Sequence, residues 1–299
     1  RRNQVAHIHY RHLLPFFGTT DVDKITTEEW EEYKIHRVNK VTIAGGIVRH
    51  KTLLHERSLI QAFLRYCKKR ALINHLPEIT GYSKRNEAIS THKQRGAAYS
   101  KEEITKVFSI LRDRVNFSSE IKQEANMLYT YALTLFFSVG RTGEIRQLRV
   151  EDIEFVDSGA VITIRSETSK VKKNRKTSIP NEVSDVLREF IEWSNPLRGK
   201  TGFIFYTHDH PIKPVATINQ TFKKLMTAEG LYLNEGGTLR PISSLRNSAL
   251  TILSGKVEQA FLCAVAGTSA KMLREHYFDR RAEVFSEKTA DVFSELMVV

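Results

Sequence analysis

Residues 159–180 read GAVITIRSETSKVKKNRKTSIP. The β-branched alternation of AVITIRS predicts a strand, polar VKKN predicts a turn, and RKTSIP predicts the returning strand of a hairpin. The other patterned segments of the chain are helical, so this hairpin sets the fold class as mainly α with a small antiparallel sheet (α+β). Directly after it, residues 181–193 place Val183, Val186, Leu187, Phe190 and Ile191 at helical spacing. Before it, residues 120–139 are dense in apolar side chains (Met127, Leu128, Tyr131, Leu135, Phe136) and predict a helix buried on most sides. Beyond Arg246 the chain reads as helical to its end.

Toward the amino terminus, residues 83–98 (SKRNEAISTHKQRGAA) are polar and basic, contain Gly96 and lack an apolar period, as an exposed inter-domain linker does. Ser100 and Glu103 then have capping-box spacing and start a helix toward Leu111. Upstream, Leu59, Ile60, Phe63, Leu64, Cys67 and Ala71 recur at steps of three and four, which predicts one helical stripe over 56–71. Arg57, Arg65, Lys68, Lys69 and Arg70 lie largely off that stripe, as either a solvated cationic face or a set of phosphate contacts. Thr26 and Thr27, followed by Glu28 and Glu29, read as a capped helix start. The expected division is a helical domain over 1–88, a basic linker over 89–98, and a second domain over 99–299 ending in a helical tail.

Composition narrows the function class. At 299 residues, two domains can each bury a core, and 41% apolar with 27% charged residues is ordinary for a globular chain. No run approaches the ~18 apolar residues of a membrane span, and RRNQVAHIHYRH lacks the apolar region of a secretory signal. The chain starts without methionine, which leaves room for an upstream segment. Cys67 and Cys263 are too few for a disulfide framework and have no zinc spacing, so reduced thiols in the cytoplasm and no metal are expected. A net charge of +12, from 46 Lys and Arg against 34 Asp and Glu, points to a polyanionic partner, most commonly nucleic acid.

Four local features carry potential chemistry. In SVGRTGEIRQLRVEDI (138–153), Gly140 breaks an apolar helix before Arg141, and Glu144 follows one helical turn on, placed to brace the arginine. The hairpin crowds Lys170, Lys172, Lys173, Arg175 and Lys176 near its turn; this is either a lysine-blunted sheet edge or a cationic finger for a DNA groove. Arg246 opens an apolar helix in ISSLRNSALTIL, and VAGTSAKMLREHYFD (265–279) puts Tyr277 ten residues after Gly267. Singly each reads as packing or a surface ion pair. Jointly, two arginines, a lysine and a tyrosine suit metal-free phosphodiester cleavage. Guanidiniums clamp the non-bridging oxygens, the tyrosine attacks, and the lysine protonates the departing hydroxyl.

At these residues the sequence resembles the tyrosine recombinases of the phage-integrase family, in motif and order across nearly the whole chain. The first box, G-x-R-x-x-E followed by L and D, is similar to Gly140, Arg141 and Glu144 with Leu148 and Asp152. The hairpin lysine box is similar to Lys170 with Arg175, Lys176 and Thr177, and Lys172 is the alternative if the turn registers differently. The second box, H-x-L-R, corresponds to Ser243, Ser244, Leu245 and Arg246, with serine in place of histidine. The third corresponds to Gly267, Thr268, Ser269 and Tyr277, with threonine where the family has His or Trp. A branch of phage integrases reads S-L-R and G-T-S-x-x-M-x-E-x-H-Y, which Met272, Glu275 (one register off), His276 and Tyr277 approach.

The resemblance implies a helical core-binding domain and a catalytic domain that clamp duplex DNA, with Arg57, Arg65, Lys68, Lys69, Lys172, Lys173 and Arg175 on the DNA. It implies that Arg141 and Arg246, aided by Thr268 and Ser243, hold the scissile phosphate while Tyr277 forms a 3′-phosphotyrosyl bond. Lys170 then protonates the freed 5′-hydroxyl. The base stays open between Lys170, water and His276. No cofactor is implied, because the phosphotyrosine conserves the bond energy. A homotetramer on DNA is implied, with the tail residues Val284, Phe285, Val292, Phe293 and Leu296 docking on a neighbour or on their own domain. An upstream arm-binding domain, a mobile element to integrate or excise, and a nucleoid setting in a prokaryote or phage go with it. Two alternatives remain: a type IB topoisomerase-like enzyme, and a non-catalytic DNA-binding relative marked by Ser243 and Thr268.

Overall fold

The computed structural model describes residues 2–39, 48, 50–82, 96–117, 122–194, 202–207, 210–254 and 256–276. The chain divides into two units, Arg1–Lys93 and Gln94–Val299.

In the first unit, α1 (Arg2–Ile8) passes through a π-helical turn at His9–Leu13 into α2 (Leu14–Phe17). Then follow α3 (Thr27–Asn39) and the twenty-residue α4 (His50–Lys69). The start of α3 is capped reciprocally. The Glu29 amide donates to Thr26 Oγ1 and the Thr26 amide to the Glu29 carboxylate, both at 3.2 Å. The core gathers Trp30, Tyr33, Leu53, Ile60 and Leu64.

The buried stripe of α4 is rotated from the predicted one. Leu53, Glu56, Ile60, Leu64 and Cys67 face inward, Phe63 is 49% exposed, and Ala71 lies past the helix end at φ +55°. The reason is Glu56, a fully buried carboxylate that occupies an inner position. It accepts from Arg37 Nε (2.7 Å) and Nη2 (2.5 Å) and from the Tyr33 hydroxyl (2.6 Å). Burial, reinforced by the Glu56 carboxylate, pushes the Tyr33 phenol far above its ordinary pKa.

The second unit begins with α5 (Lys101–Phe117), α6 (Lys122–Phe137) and the short α7 (Thr142–Ile145). Strands β1 (Ile153–Val156), β2 (Gly159–Ile164) and β3 (Arg175–Ile179) form an antiparallel sheet in the order β1-β2-β3, with Ile162 opposite both Ile153 and Thr177. After α8 (Asn181–Ser194), β4 (Tyr206–Thr207) pairs with β5 (His210–Pro214). The chain continues through α9 (Ile218–Ala228), α10 (Ser243–Leu253), α11 (Gln259–Ala266) and α12 (Ala270–His276). Leu111, Leu128, Tyr131, Ile162, Ile179, Phe205 and Phe222 build the main core between helices and sheet. Among the described residues no helix is long and apolar enough to cross a membrane.

One local expectation is corrected. The predicted VKKN turn is part of a ten-residue loop over 165–174, which carries Lys170 six residues past the end of β2. Arg165 is drawn out of the ladder by Asp152 (3.2 Å) and the Gln147 carbonyl (2.8 Å). The Thr168 and Ser169 amides turn back onto the Arg165 carbonyl, and Asn174 Oδ1 closes the loop on the Ser166 amide at 2.6 Å. Residues 83–95 of the predicted linker lie outside the described residues. Its last residues are anchored. The Ala97 amide donates to the Leu239 carbonyl (3.1 Å), and Asn247 Nδ2 donates to Gly96 O (2.8 Å). Small side chains permit this approach, since a Cβ at Gly96 would collide with Ser244 Oγ. Tyr99, next in line, stacks under the Arg240 guanidinium, which forks onto Glu103 at 2.7 and 2.9 Å.

The buried pair in the first unit gives a direct expectation. Glu56→Gln leaves the Arg37 charge without its counterion and lowers stability by about 3 kcal/mol. Chemical denaturation followed by Trp30 fluorescence, with the indole stacked on Tyr33, reads this out. A midpoint equal to wild type refutes a stabilising role for the pair.

Candidate active site

The site is organised by the carboxyl end of α11. A helix leaves its last carbonyls without intrahelical donors. Here Gly267 ends the helix in the left-handed conformation (φ +60°), and the chain turns into α12. Three arginines from three other elements donate to three consecutive carbonyls at this turn. Arg175, at the start of β3, gives Nε to Val265 O at 2.9 Å. Arg246, in the first turn of α10, gives Nη2 to Ala266 O at 2.8 Å. Arg141, just before α7, gives Nη2 to Gly267 O.

Three guanidiniums this close would repel, and Glu144 offsets them. Its carboxylate, 2% exposed, accepts from the Arg141 amide (2.9 Å), Arg141 Nη1 (2.9 Å), Arg175 Nη1 (3.1 Å) and Arg175 Nη2 (2.5 Å). Burial works to raise the pKa of Glu144, but hydrogen bonds and charge from Arg175 and Arg141 outweigh it and hold the carboxyl below its usual range. The negative end of the α11 dipole likewise offsets the charge of the three guanidiniums.

Arg246 is also anchored by Nη1 on Val139 O. Val139 holds φ +50°, an unusual conformation for a β-branched residue, between the end of α6 and Gly140. Gly140 is required for contact, because a Cβ there would run into the Ile145 side chain. Thr177, buried in β3, donates to the Ser138 carbonyl at 2.7 Å and ties the sheet to the same turn.

Three guanidiniums and one carboxylate leave an excess of two positive charges, and Arg141 keeps 23% of its side chain exposed. Such a cradle suits an anion with several non-bridging oxygens.

The phage integrase family model matches residues 98–277, more than half of the chain. The chain belongs to the phage integrase family. It is a tyrosine recombinase in family and fold. No curated protein sequence matches it. Among solved structures it is similar to the Tn1549 transposon integrase in complex with a circular intermediate DNA (TM-score 0.62, 13% identity, 97% of this chain and 98% of that one). A lambda integrase dimer bound to a core site gives a TM-score of 0.59 at 16% identity, over 94% and 89% of the two chains. The XerH site-specific recombinase bound to a difH substrate gives 0.59 at 15% identity, over 89% and 70%.

In this phage integrase family member, the arginines of boxes one and two come together with the turn of box three. Ser243 and Thr268 are half-buried at the starts of α10 and of the turn, and the Thr268 amide donates to the Cys263 carbonyl. Lys170, Lys172 and Lys173 are exposed on the β2–β3 loop. Tyr277 and the tail residues Val284, Phe285, Val292, Phe293 and Leu296 lie outside the described residues.

The Arg175 guanidinium, 9% exposed, is taken up by Glu144 and Val265. Strand alternation carried the signal, since Arg175, Thr177 and Ile179 share the inward face of β3. On α4, Arg65 and Lys69 are exposed, whereas Arg57 Nε donates to Ile79 O (3.0 Å) and Lys68 Nζ to Asn74 O (2.5 Å). Both of these cations partly serve to hold the chain that follows α4.

The depressed Glu144 carboxyl makes stability depend on pH. Its folded pKa lies below the unfolded value of ~4.3, so its contribution is complete above that value and is lost as pH falls through the folded value. Denaturant midpoints from pH 6 to 3 should therefore fall more steeply for wild type than for Glu144→Gln. The variant should already be weaker at pH 6 by about 3 kcal/mol. Parallel pH profiles overturn the assignment.

Proposed function

We propose that this chain is a site-specific DNA recombinase that cleaves and rejoins strands through a 3′-phosphotyrosine at Tyr277, integrating or excising a mobile element. One observation carries the reading. Arg141 and Arg246, far apart in sequence, hang from adjacent carbonyls of the turn that opens α12, and Tyr277 follows the last residue of α12.

The two guanidiniums bind the non-bridging oxygens of the scissile phosphate and stabilise the charge that builds up there. Thr268 and Ser243 add hydroxyl donors at the positions where the family carries rings. Tyr277 Oη attacks phosphorus, its proton passing to a base among Lys170, His276 and water, and the bond from phosphorus to the 5′-oxygen breaks. Lys170, on its exposed loop, gives that oxygen a proton. A 5′-hydroxyl from a second strand then attacks the phosphotyrosine and releases the tyrosine. The reaction conserves one phosphodiester bond and asks for no cofactor.

The Tn1549 transposon integrase in complex with a circular intermediate DNA supports duplex DNA as the partner. Residues 1–88, through Arg65, Lys69 and their neighbours on α4, and the loop lysines Lys172 and Lys173 supply backbone contacts. Exchange between two duplexes needs four protomers, and the tail beyond Tyr277 is the segment proposed to join them. A prokaryotic or phage nucleoid is the setting this chemistry suits.

Nicked duplexes drawn from the DNA that flanks the chain's own gene test the proposal, because a freed short 5′-end diffuses away and traps the adduct. Wild type should form a covalent complex that Tyr277→Phe abolishes, and Arg141→Ala or Arg246→Ala should slow its formation by about 10²-fold or more. Lys170→Ala should be slow on ordinary DNA but recover on a 5′-bridging phosphorothiolate, whose leaving thiol (pKa ~8.5) needs no proton. Absence of a wild-type adduct assigns the chain to a non-catalytic DNA-binding role instead, and an adduct that survives Tyr277→Phe removes Tyr277 as the nucleophile.

A further inference from the structure

We infer that Arg175 is a positioning residue for strand cleavage, locking the turn that precedes α12 to the same carboxylate that orients Arg141. The inference rests on the recombinase reading above. It assigns a cation of the basic hairpin to the interior of the site and not to DNA.

The geometry is specific to a guanidinium. One edge of Arg175 forks onto Glu144, with Nη1 on Oε1 at 3.1 Å and Nη2 on Oε2 at 2.5 Å. The Nε donor reaches Val265 O at 2.9 Å, at the end of α11. Gly267 covers the flat side, since a Cβ at Gly267 would stand 3.0 Å from Cζ, Nε and Nη1 alike. Arg175 is thereby held between two parts of the site. Through Glu144 it fixes the carboxylate that takes both the amide and the Nη1 donor of Arg141. Through Val265 and Gly267 it fixes the turn from which α12 departs.

The β3 backbone anchors it in turn. Arg175 pairs with Ile164 in the ladder, and its inward neighbour Thr177 is bonded to Ser138. Lys176, facing outward, is 68% exposed and only loosely paired to Glu154 at 3.7 Å, the contrast a solvent-facing cation on this strand presents. A lysine at 175 has one ammonium and no planar fork, so it cannot span Glu144 and Val265 while lying flat on Gly267.

Misplacing reacting groups by about 1 Å costs about 10²-fold in rate without weakening ground-state binding. The full-length chain and its Arg175→Lys and Arg175→Ala variants are compared on the nicked duplexes. The expected result is a dissociation constant within about 2-fold of wild type, with the single-turnover rate of adduct formation down about 10²-fold in both variants. Added guanidinium ion should restore part of the rate of Arg175→Ala, by refilling the space between Glu144 and Val265.

Amide hydrogen exchange is read alongside. Exchange over residues 265–276 should accelerate in Arg175→Ala while α6 and β2 stay protected. A cleavage rate within 3-fold of wild type overturns the inference. So does a loss of DNA affinity, or of protection throughout the catalytic unit, equal to the loss of rate. Should wild type itself form no adduct, the recombinase reading fails separately, and exchange at 265–276 still decides whether Arg175 holds the turn.

Discussion

The carboxyl end of α11 is where the catalytic unit is tied together. Its three exposed carbonyls need donors, and the donors come from β3, α10 and the start of α7. Each element reaches the turn only because its own backbone is placed by something else. The sheet register places Arg175, the αL residue Val139 and its carbonyl hold Arg246, and the tight Gly140–Ile145 contact sets the entry to α7. A phosphate-binding site made of arginines faces an electrostatic difficulty before any phosphate arrives, because like charges must be held close. Carbonyl dipoles and the single buried carboxylate of Glu144 meet that difficulty locally, so the cradle is formed in advance of its ligand.

Two other guanidinium–carboxylate pairs show what distinguishes this site. Arg37 on Glu56 and Arg240 on Glu103 are both bidentate, and each has an aromatic ring beside it, Tyr33 in the first case and Tyr99 in the second. Glu103 also caps α5 through the Ser100 amide, so one carboxylate secures a helix start and a long-range pair together. In both pairs the arginine is turned inward, at 3% and 7% exposure, and the arrangement ends there. Arg141 shares its carboxylate with a second arginine and stays open to solvent. An anion has access only to the last of these three.

What could be read from the sequence follows the range of the interactions involved. The capped helix start at Thr26 and the capping box at Ser100 are local and were legible, as were α3 to α6, α8, α10 to α12 and the two strands of the hairpin. The length of the hairpin loop was not, because Arg165 leaves the ladder for Asp152 and Gln147, partners more than ten residues away. The stripe of α4 was misjudged for a similar reason: nothing near Glu56 announces Arg37, nineteen residues earlier, as its counterion. Strand β1 has four residues, too few for an alternation to register. Arg175 was the instructive case, where a count of neighbouring cations suggested a DNA finger while the period-two pattern with Thr177 and Ile179 placed it inside.

The substitutions at boxes two and three take on a definite meaning in this geometry. Where the family carries rings, Ser243 and Thr268 offer short hydroxyls, able to donate to a phosphate oxygen but poor proton acceptors near neutral pH. The described contacts that assemble Arg141, Arg175, Arg246 and Glu144 run through backbone carbonyls and the carboxylate. In the proposed reaction charge stabilisation therefore belongs to the turn at the end of α11, and proton transfer falls to groups outside it, Lys170 on its exposed loop foremost.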